Sequence, residues 1–331
     1  MAYEPRGVVA AITPWNDPVA VACGLIGAAL VTGNTVVHKP SERTPGTGWL
    51  LGSLLAEALP DGVCLTLTGD AGTGAALAAQ PVDVIAHVGS TATGRAIRRA
   101  ALSTGAKVLL ENGGNDPLVV DAGVDPVWAA GQAALGAFAN AGQICVSVER
   151  VYVHESVADA FLDALVTAAS AVQIGPLVDR RLRDSVHGHV TDAIAAGAKL
   201  LCGGEIPGGP GSHYPPTVLA GCTPEMAVMR EETFGPVAPV AVTASFDEAL
   251  ELASAGEYGL AATVLTNDMA HAQRAWRRLP VGTVKINSVF GGAPGGAAQP
   301  RGASGQGFGY GPELLDEMTH TKVVHWTAPE V

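Results

Sequence analysis

Positive charge is scarce in this chain. It has 19 Lys and Arg against 31 Asp and Glu, a formal net charge of −12, so its long-range field opposes nucleic acid and anionic membranes, and neither is expected as a partner. Long apolar runs are missing too. No stretch of about 18 residues escapes a Gly or polar break, so no membrane-spanning helix is expected. The opening MAYEPRGVVAAITPWN has one Arg, an early Pro and a short apolar run, which is not the layout of a secretory signal. Cysteine is sparse as well: Cys23, Cys64, Cys145, Cys202 and Cys222 are far apart, odd in number and without a C-x-x-C pair. That spacing indicates neither a disulfide framework nor a zinc ribbon, and a cytoplasmic location is the default.

What remains is a chain of 331 residues, 48% of them hydrophobic, enough for two domains with cores of their own. Its first third alternates regularly. GVVAAI (7–12), NTVVHK (34–39), VCLTLTG (63–69), VDVIAHVG (82–89) and the run opening AKVLLENGG (106–114) read as strands. Stretches 18–31, 45–59, a short piece near 74–79, and 91–102 read as the helices between them. Strands and helices at this pitch imply parallel βαβ units and a doubly wound α/β sheet. A second α/β region follows, with strands in DPLVV, ERVYVHES, AKLLCGG, PVAPVAV and AATVLTND, and helices over 125–140, 157–171, 181–196 and 246–255. Residues 291–311 read as one long Gly/Pro-rich loop, and THTKVVHW (319–326) has the alternation of an edge strand.

Several junctions carry residues suited to chemistry. KPSE (39–42) closes the second parallel strand, where nucleotides bind in open α/β sheets; Lys39 and Glu42 could hold ribose hydroxyls, or sit in a solvated loop. HVGSTATGRAI (87–97) joins a strand to a helix through Gly89 and Ser90. It offers N–H groups to a phosphate, although a plain capped helix start looks the same, and no G-x-G-x-x-G is present. Glu111, after an apolar strand and before two glycines, is placed as a general base or as a surface turn residue. Cys145 in NAGQICVS is a nucleophile or a buried structural thiol. Asn16 in TPWN could stabilise an oxyanion or cap the next helix. In REETFGPV (230–237) Glu232 and Phe234 could face a cofactor or simply belong to a helix-to-strand turn. His187 and His189 do not share a helix face and read as solvated, while His38 and His87 lie in buried-strand runs. No metal site is argued.

Singly these motifs are ambiguous, but their order is informative. TPWN, GNTVVHKPSE, Gly-Ser-Thr-x-x-Gly, ENGG, NAGQIC, EETFGPV and EYGLAA succeed one another in the order of the aldehyde dehydrogenase superfamily, which the chain resembles from Pro5 to about Trp326. The resemblance implies NAD-dependent oxidation of a small-molecule aldehyde to a carboxylate, with NADP possible. By position, Cys145 resembles the nucleophile, Asn16 and the Cys145 N–H the oxyanion hole, and Glu111 the base that hydrolyses the thioester. Thr13, Pro14, Trp15, Lys39, Ser41, Glu42, Gly89, Ser90, Glu232 and Phe234 resemble cofactor-binding residues. Glu111 favours hydrolysis over release to CoA, and Glu42 favours NAD.

The implied fold is a Rossmann-like parallel-sheet cofactor domain over 1–112, an α/β catalytic domain over 113–318, and an arm strand over 319–331. A homo-oligomer, most simply a dimer, is expected. Family members are normally longer at the N-terminus, and the arm strand is expected without its usual intrachain partners. The pattern also departs from the family at Asp17 (for an aromatic), Leu25 (for a Lys), Asn112 (for a Leu) and Ile144 (for an Arg). The alternative is a non-catalytic relative that binds or scaffolds.

Overall fold

The computed structural model describes residues 1–290 and 299–328. β1 (Ala2–Pro5) and β2 (Val8–Ile12) lead into α1 (Ala20–Val31), β3 (Thr35–Lys39), α2 (Pro45–Ala58) and β4 (Cys64–Thr66). Then come α3 (Ala71–Ala78), β5 (Val84–Val88), α4 (Thr91–Thr104) and β6 (Lys107–Glu111). The middle of the chain runs β7 (Asp116–Val120), α5 (Pro126–Phe138), β8 (Val148–His154), α6 (Glu155–Ala171), α7 (Arg180–Ala195), β9 (Lys199–Cys202) and β10 (Thr217–Ala220). It continues through β11 (Val237–Thr243), α8 (Phe246–Ser254), β12 (Tyr258–Gly259), β13 (Ala261–Leu265), α9 (Met269–Arg278) and β14 (Thr283–Ile286). After the undescribed stretch, 291–298 of the expected long loop, come β15 (Arg301–Gly302), β16 (Gly305–Gln306), α10 (Glu313–Glu317) and β17 (Thr319–Lys322).

The chain forms two compact units. The first holds Met1–Asn112 and the stretch that begins at Gly305; the second begins at Gly113 and includes Pro300–Ser304. Residues from Gly305 to 318, grouped with the catalytic domain in the sequence reading, therefore pack with the first unit. The cause is β16, which pairs antiparallel with β6, and Leu314 and Met318, which fill the first unit's core.

In the first unit a six-stranded sheet runs in the order β16-β6-β5-β2-β3-β4, parallel apart from β16. Its strands are continuous apolar runs because both faces are covered. Val9 and Ala11 of β2 point into a core with Leu25, Ile26 and Val36, while Ala10 and Ile12 point the other way, to Leu77, Ile85 and Ile97. The second unit repeats the plan with seven strands, β14-β13-β7-β8-β11-β10-β9. Leu118 and Val120 face Phe138, Phe161 and Leu165; Val119 faces the side of Val186, Leu250 and Ala275.

The 319–326 edge strand is shorter than expected and it has an intrachain partner. β17 pairs antiparallel with β1, Ala2 opposite Lys322 and Pro5 opposite Thr319, and Glu4 is ion-paired with Lys322. That corrects the expectation of an unpartnered arm. The partner strand, AYEP, is exposed along its whole length, so it carries no apolar alternation to read. Residues 329–331 of the arm lie outside the described residues. β10, β14 and α9 are likewise absent from the sequence reading; in α9 only Ala272 and Ala275 are buried, too small a stripe to give a periodic signal. Among the described residues no helix is long and apolar enough to cross a membrane.

Candidate active site

The first unit gathers its share of the expected residues on one sheet edge. β2 pairs with β3 on one side and β5 on the other, Ile12 lying opposite both Lys39 and His87, and Val88 of β5 lies opposite Glu111 of β6. The carboxyl ends of four adjacent parallel strands therefore carry, in spatial order, Glu111, then Gly89 and Ser90, then residues 13–16, then residues 39–42. Chain order runs outward from β2 to β3 and β4, then jumps back across to β5 and β6. The gap between β2 and β5 is thus the topological switch point, where open α/β sheets bind nucleotides.

Each group is held by local bonds. The Thr13 N–H donates to the Lys39 carbonyl at 3.1 Å and Thr13 Oγ1 lies 2.9 Å from His38 Nε2, so Pro14 and Trp15 leave the strand in a fixed direction. The Arg43 guanidinium sits over the Trp15 ring, 5.6 Å from its centroid. Asn16 is not the helix cap of the simpler alternative: α1 has Val19 as N-cap and no capping side chain. Lys39 is buried and its Nζ lies 3.1 Å from Glu42 Oε2. Burial pushes the Glu42 carboxyl up, but its own backbone N–H and Lys39 outweigh this and hold it below the usual range. Ser41 is buried beside them.

Ser90 caps α4, its Oγ accepting the Thr93 N–H at 3.3 Å, and Gly89 donates its N–H to the Glu111 carbonyl at 3.0 Å. The first turn of α4 thus presents the kind of N–H cluster a pyrophosphate uses. Asn112, where the family pattern has Leu, is buried against the helix: a Cβ on Gly94 would overlap its Oδ1. Glu111 is partly buried under Gly309, whose Cβ would lie 2.5 Å from Oε2, and burial pushes its carboxyl up. A buried cation, a helix N-terminus and a switch point on one edge fit a dinucleotide.

In the second unit Cys145 follows a strained turn. Asn140 and Ala141 have φ of +49° and +57°, followed by Gly142 at +73°; left-handed conformations are rare for alanine. Reciprocal bonds hold the turn. Asn140 Nδ2 donates to the Gln143 carbonyl at 3.2 Å and Gln143 Nε2 to the Asn140 carbonyl at 2.9 Å, while Gln143 Oε1 accepts the Val178 N–H at 2.8 Å. Ser147 closes it, its N–H on the Ile144 carbonyl at 2.9 Å. Gln143 is therefore a brace for the loop that carries the thiol.

Gly113 and Gly114 bring this turn to the second motif. The Gly114 N–H donates to Glu232 Oε1 at 3.0 Å, and a Cβ on Gly114 would lie 2.9 Å from the Cys145 carbonyl oxygen. A Cβ on Gly113 would overlap the Glu232 carboxylate. The double glycine of ENGG is thus a requirement of close approach. Burial pushes the Glu232 carboxyl up to about 7 against the Gly114 N–H. Phe234, next but one, is left-handed at φ +52°.

Three charged residues that sequence reasoning did not single out surround this group. Asp116 and Glu149 are buried, and burial pushes both carboxyls up. Lys285 on β14 is lowered by burial, opposed by the charge of Asp116 and by Cys145. The only signal was a charge pair, ER, opening an otherwise apolar strand. The histidine reading needs correction too. His187 Nδ1 is 3.2 Å from Tyr214 Oη, and His189 Nδ1 is 3.0 Å from Thr233 Oγ1, so both are tied into the structure rather than solvated. Among the described residues no group of three or more His, Cys, Asp or Glu is placed to hold a metal ion.

Comparison with known proteins agrees with this architecture. The model of the aldehyde dehydrogenase family matches residues 1–324. A mitochondrial aldehyde dehydrogenase of Leishmania tarentolae is 37% identical, over 99% of this chain and 69% of that one. A betaine aldehyde dehydrogenase of Bacillus subtilis (strain 168) is 38% identical, over 97% and 69%. The crystal structure of an NAD-dependent aldehyde dehydrogenase from Sinorhizobium meliloti superposes with a TM-score of 0.95 at 39% identity, covering 99% of this chain and 68% of that one. With its two mostly parallel sheets, its nucleotide-type edge and its braced cysteine turn, the chain belongs to the aldehyde dehydrogenase family.

Proposed function

We propose that Cys145 is the nucleophile, Asn16 the oxyanion donor and Glu111 the hydrolytic base of an NAD(P)-dependent aldehyde dehydrogenase. Family membership makes the reaction the oxidation of an aldehyde, and no comparison favours a non-catalytic role. The observation that carries the assignment is the strained turn at Asn140, Ala141 and Gly142, braced by Gln143 and tied through Gly114 to Glu232. Backbone strain kept just before a cysteine is support for a catalytic site.

In this reading the Cys145 thiolate adds to the carbonyl carbon and forms a thiohemiacetal. The Asn16 side-chain amide and the Cys145 N–H donate to the oxygen as it takes up negative charge. A bound nicotinamide would supply the hydride acceptor, and loss of hydride from the thiohemiacetal carbon gives a thioester on Cys145. Glu111 then takes a proton from the water that attacks the thioester, a task suited to a carboxyl raised by burial. Lys39 and Glu42 are assigned to the adenosine ribose, with Thr13, Pro14, Trp15 and Ser41 beside it. Gly89 and Ser90 are assigned to the pyrophosphate, and Glu232 and Phe234 to the nicotinamide ribose and ring. The first unit is accordingly read as the cofactor domain and the second as the catalytic one.

A dimer is proposed on the β1–β17 ribbon, whose exposed strands offer open edges to a second copy. A reducing, cytoplasmic setting suits a thiol that must stay unoxidised. The test of the whole reading is NAD(P)H formation over a panel of aldehydes, with Cys145→Ala as control. Turnover that disappears in the variant supports it, and turnover that survives overturns it.

A further inference from the structure

Glu149 lies on β8, four residues beyond Cys145, and is buried. The reaction as set out leaves it unused. Its two oxygens accept the N–H groups of consecutive residues, Oε2 from Thr233 at 2.8 Å and Oε1 from Phe234 at 2.9 Å. Phe234 is the residue with φ +52°, a conformation a bulky side chain keeps only when its surroundings impose it. The same loop is bonded at Thr233 Oγ1 by His189, at Glu232 by the Gly114 N–H and at the Glu231 carbonyl by Asn115 Nδ2. Of these contacts, Glu149 supplies the one acceptor group that takes two consecutive backbone N–H groups, on either side of the Thr233 Cα.

We infer that Glu149 is a positioning residue for cofactor binding, its carboxylate holding Phe234 in the left-handed conformation that presents Glu232 and Phe234 to the nicotinamide ribose and ring. The inference rests on the assignment of those two residues made above. A carboxylate suits the task better than an amide. Both of its oxygens accept, whereas a glutamine has one acceptor oxygen and would set an NH₂ against the second N–H.

The experiment compares E149Q and E149D with wild type. It reads NAD Kd by calorimetry, NAD KM and kcat with a working aldehyde, and Cys145 acylation by p-nitrophenyl acetate without nucleotide. In E149Q the Kd and KM for NAD rise together by about tenfold, the loss of one hydrogen bond, while the ester burst stays within about twofold of wild type. E149D, with both oxygens drawn back by one methylene, lies between. If E149Q does not fold, E149D carries the test, with NAD binding weakened and the burst kept.

A second comparison uses Phe234→Gly, since glycine takes a positive φ without restraint. In that background E149Q changes NAD Kd by less than about twofold. NAD binding unmoved by E149Q, or an ester burst lost in step with it, overturns the inference. Wild-type protein that bound no NAD would overturn both this inference and the reading beneath it, whereas wild-type binding with an unmoved variant overturns the inference alone.

Discussion

Lys39 Nζ lies 3.1 Å from Glu42 Oε2 at the carboxyl end of β3, the lysine buried and the glutamate half exposed. In the proposed assignment, a carboxylate there would accept ribose hydroxyls and repel a 2′-phosphate. Glu42→Gln should lower the KM for NADP by about tenfold, with a smaller rise for NAD. Paired steady-state assays with the two coenzymes check this; an unchanged NADP to NAD ratio would remove Glu42 from coenzyme choice.

Cys145→Ala should cost at least about 10³-fold in kcat while leaving NAD affinity near wild type. Cys145 is half-buried, so truncating it opens little space and the thermal midpoint should hold. Stopped-flow absorbance together with a thermal melt separates lost chemistry from lost fold.

Glu111→Gln should split the reaction in two. With the base removed, acylation proceeds and deacylation slows, by about 10²- to 10⁴-fold. The expected record is a burst of about one NAD(P)H per Cys145, then near arrest. Loss of the burst as well would place Glu111 earlier in the reaction.

Glu232 gives a pH dependence of stability. Its folded value, about 7, lies above the ordinary 4.5, so the native state binds the extra proton. Its contribution is therefore complete below pH 4.5 and is lost as pH rises through about 7, because the unfolded chain gives the proton up more readily. The thermal midpoint should fall across that window, and the fall should be shallower in Glu232→Gln. Calorimetric scans at several pH values decide it; parallel curves would count against the assignment.

The sheet strands were legible because strands covered on both faces become continuous apolar runs, as in Val84–Val88. The candidate residues were legible because turns, caps and strand ends demand particular types, such as Gly113 and Gly114 against Glu232. What stayed hidden has a common cause. α9 buries only alanines, β1 buries nothing, and Glu149 and Lys285 act through partners more than 80 and 100 positions away, respectively. Single-residue patterns carry no such pairing. The histidines at 187 and 189 were misjudged for the same reason, since their partners Tyr214 and Thr233 lie on later segments.

The first unit's return to the chain after Gly305 has a consequence for biosynthesis. Asn34 Nδ2 bonds the Met318 carbonyl across 284 positions, and β6 receives β16 only once that stretch exists. On the ribosome the first unit is therefore completed only after the second unit, Gly113 to Ser304, has emerged. Until then the apolar surface destined for Leu314 and Met318 stays uncovered, a window in which a nascent chain is open to chaperone capture or aggregation.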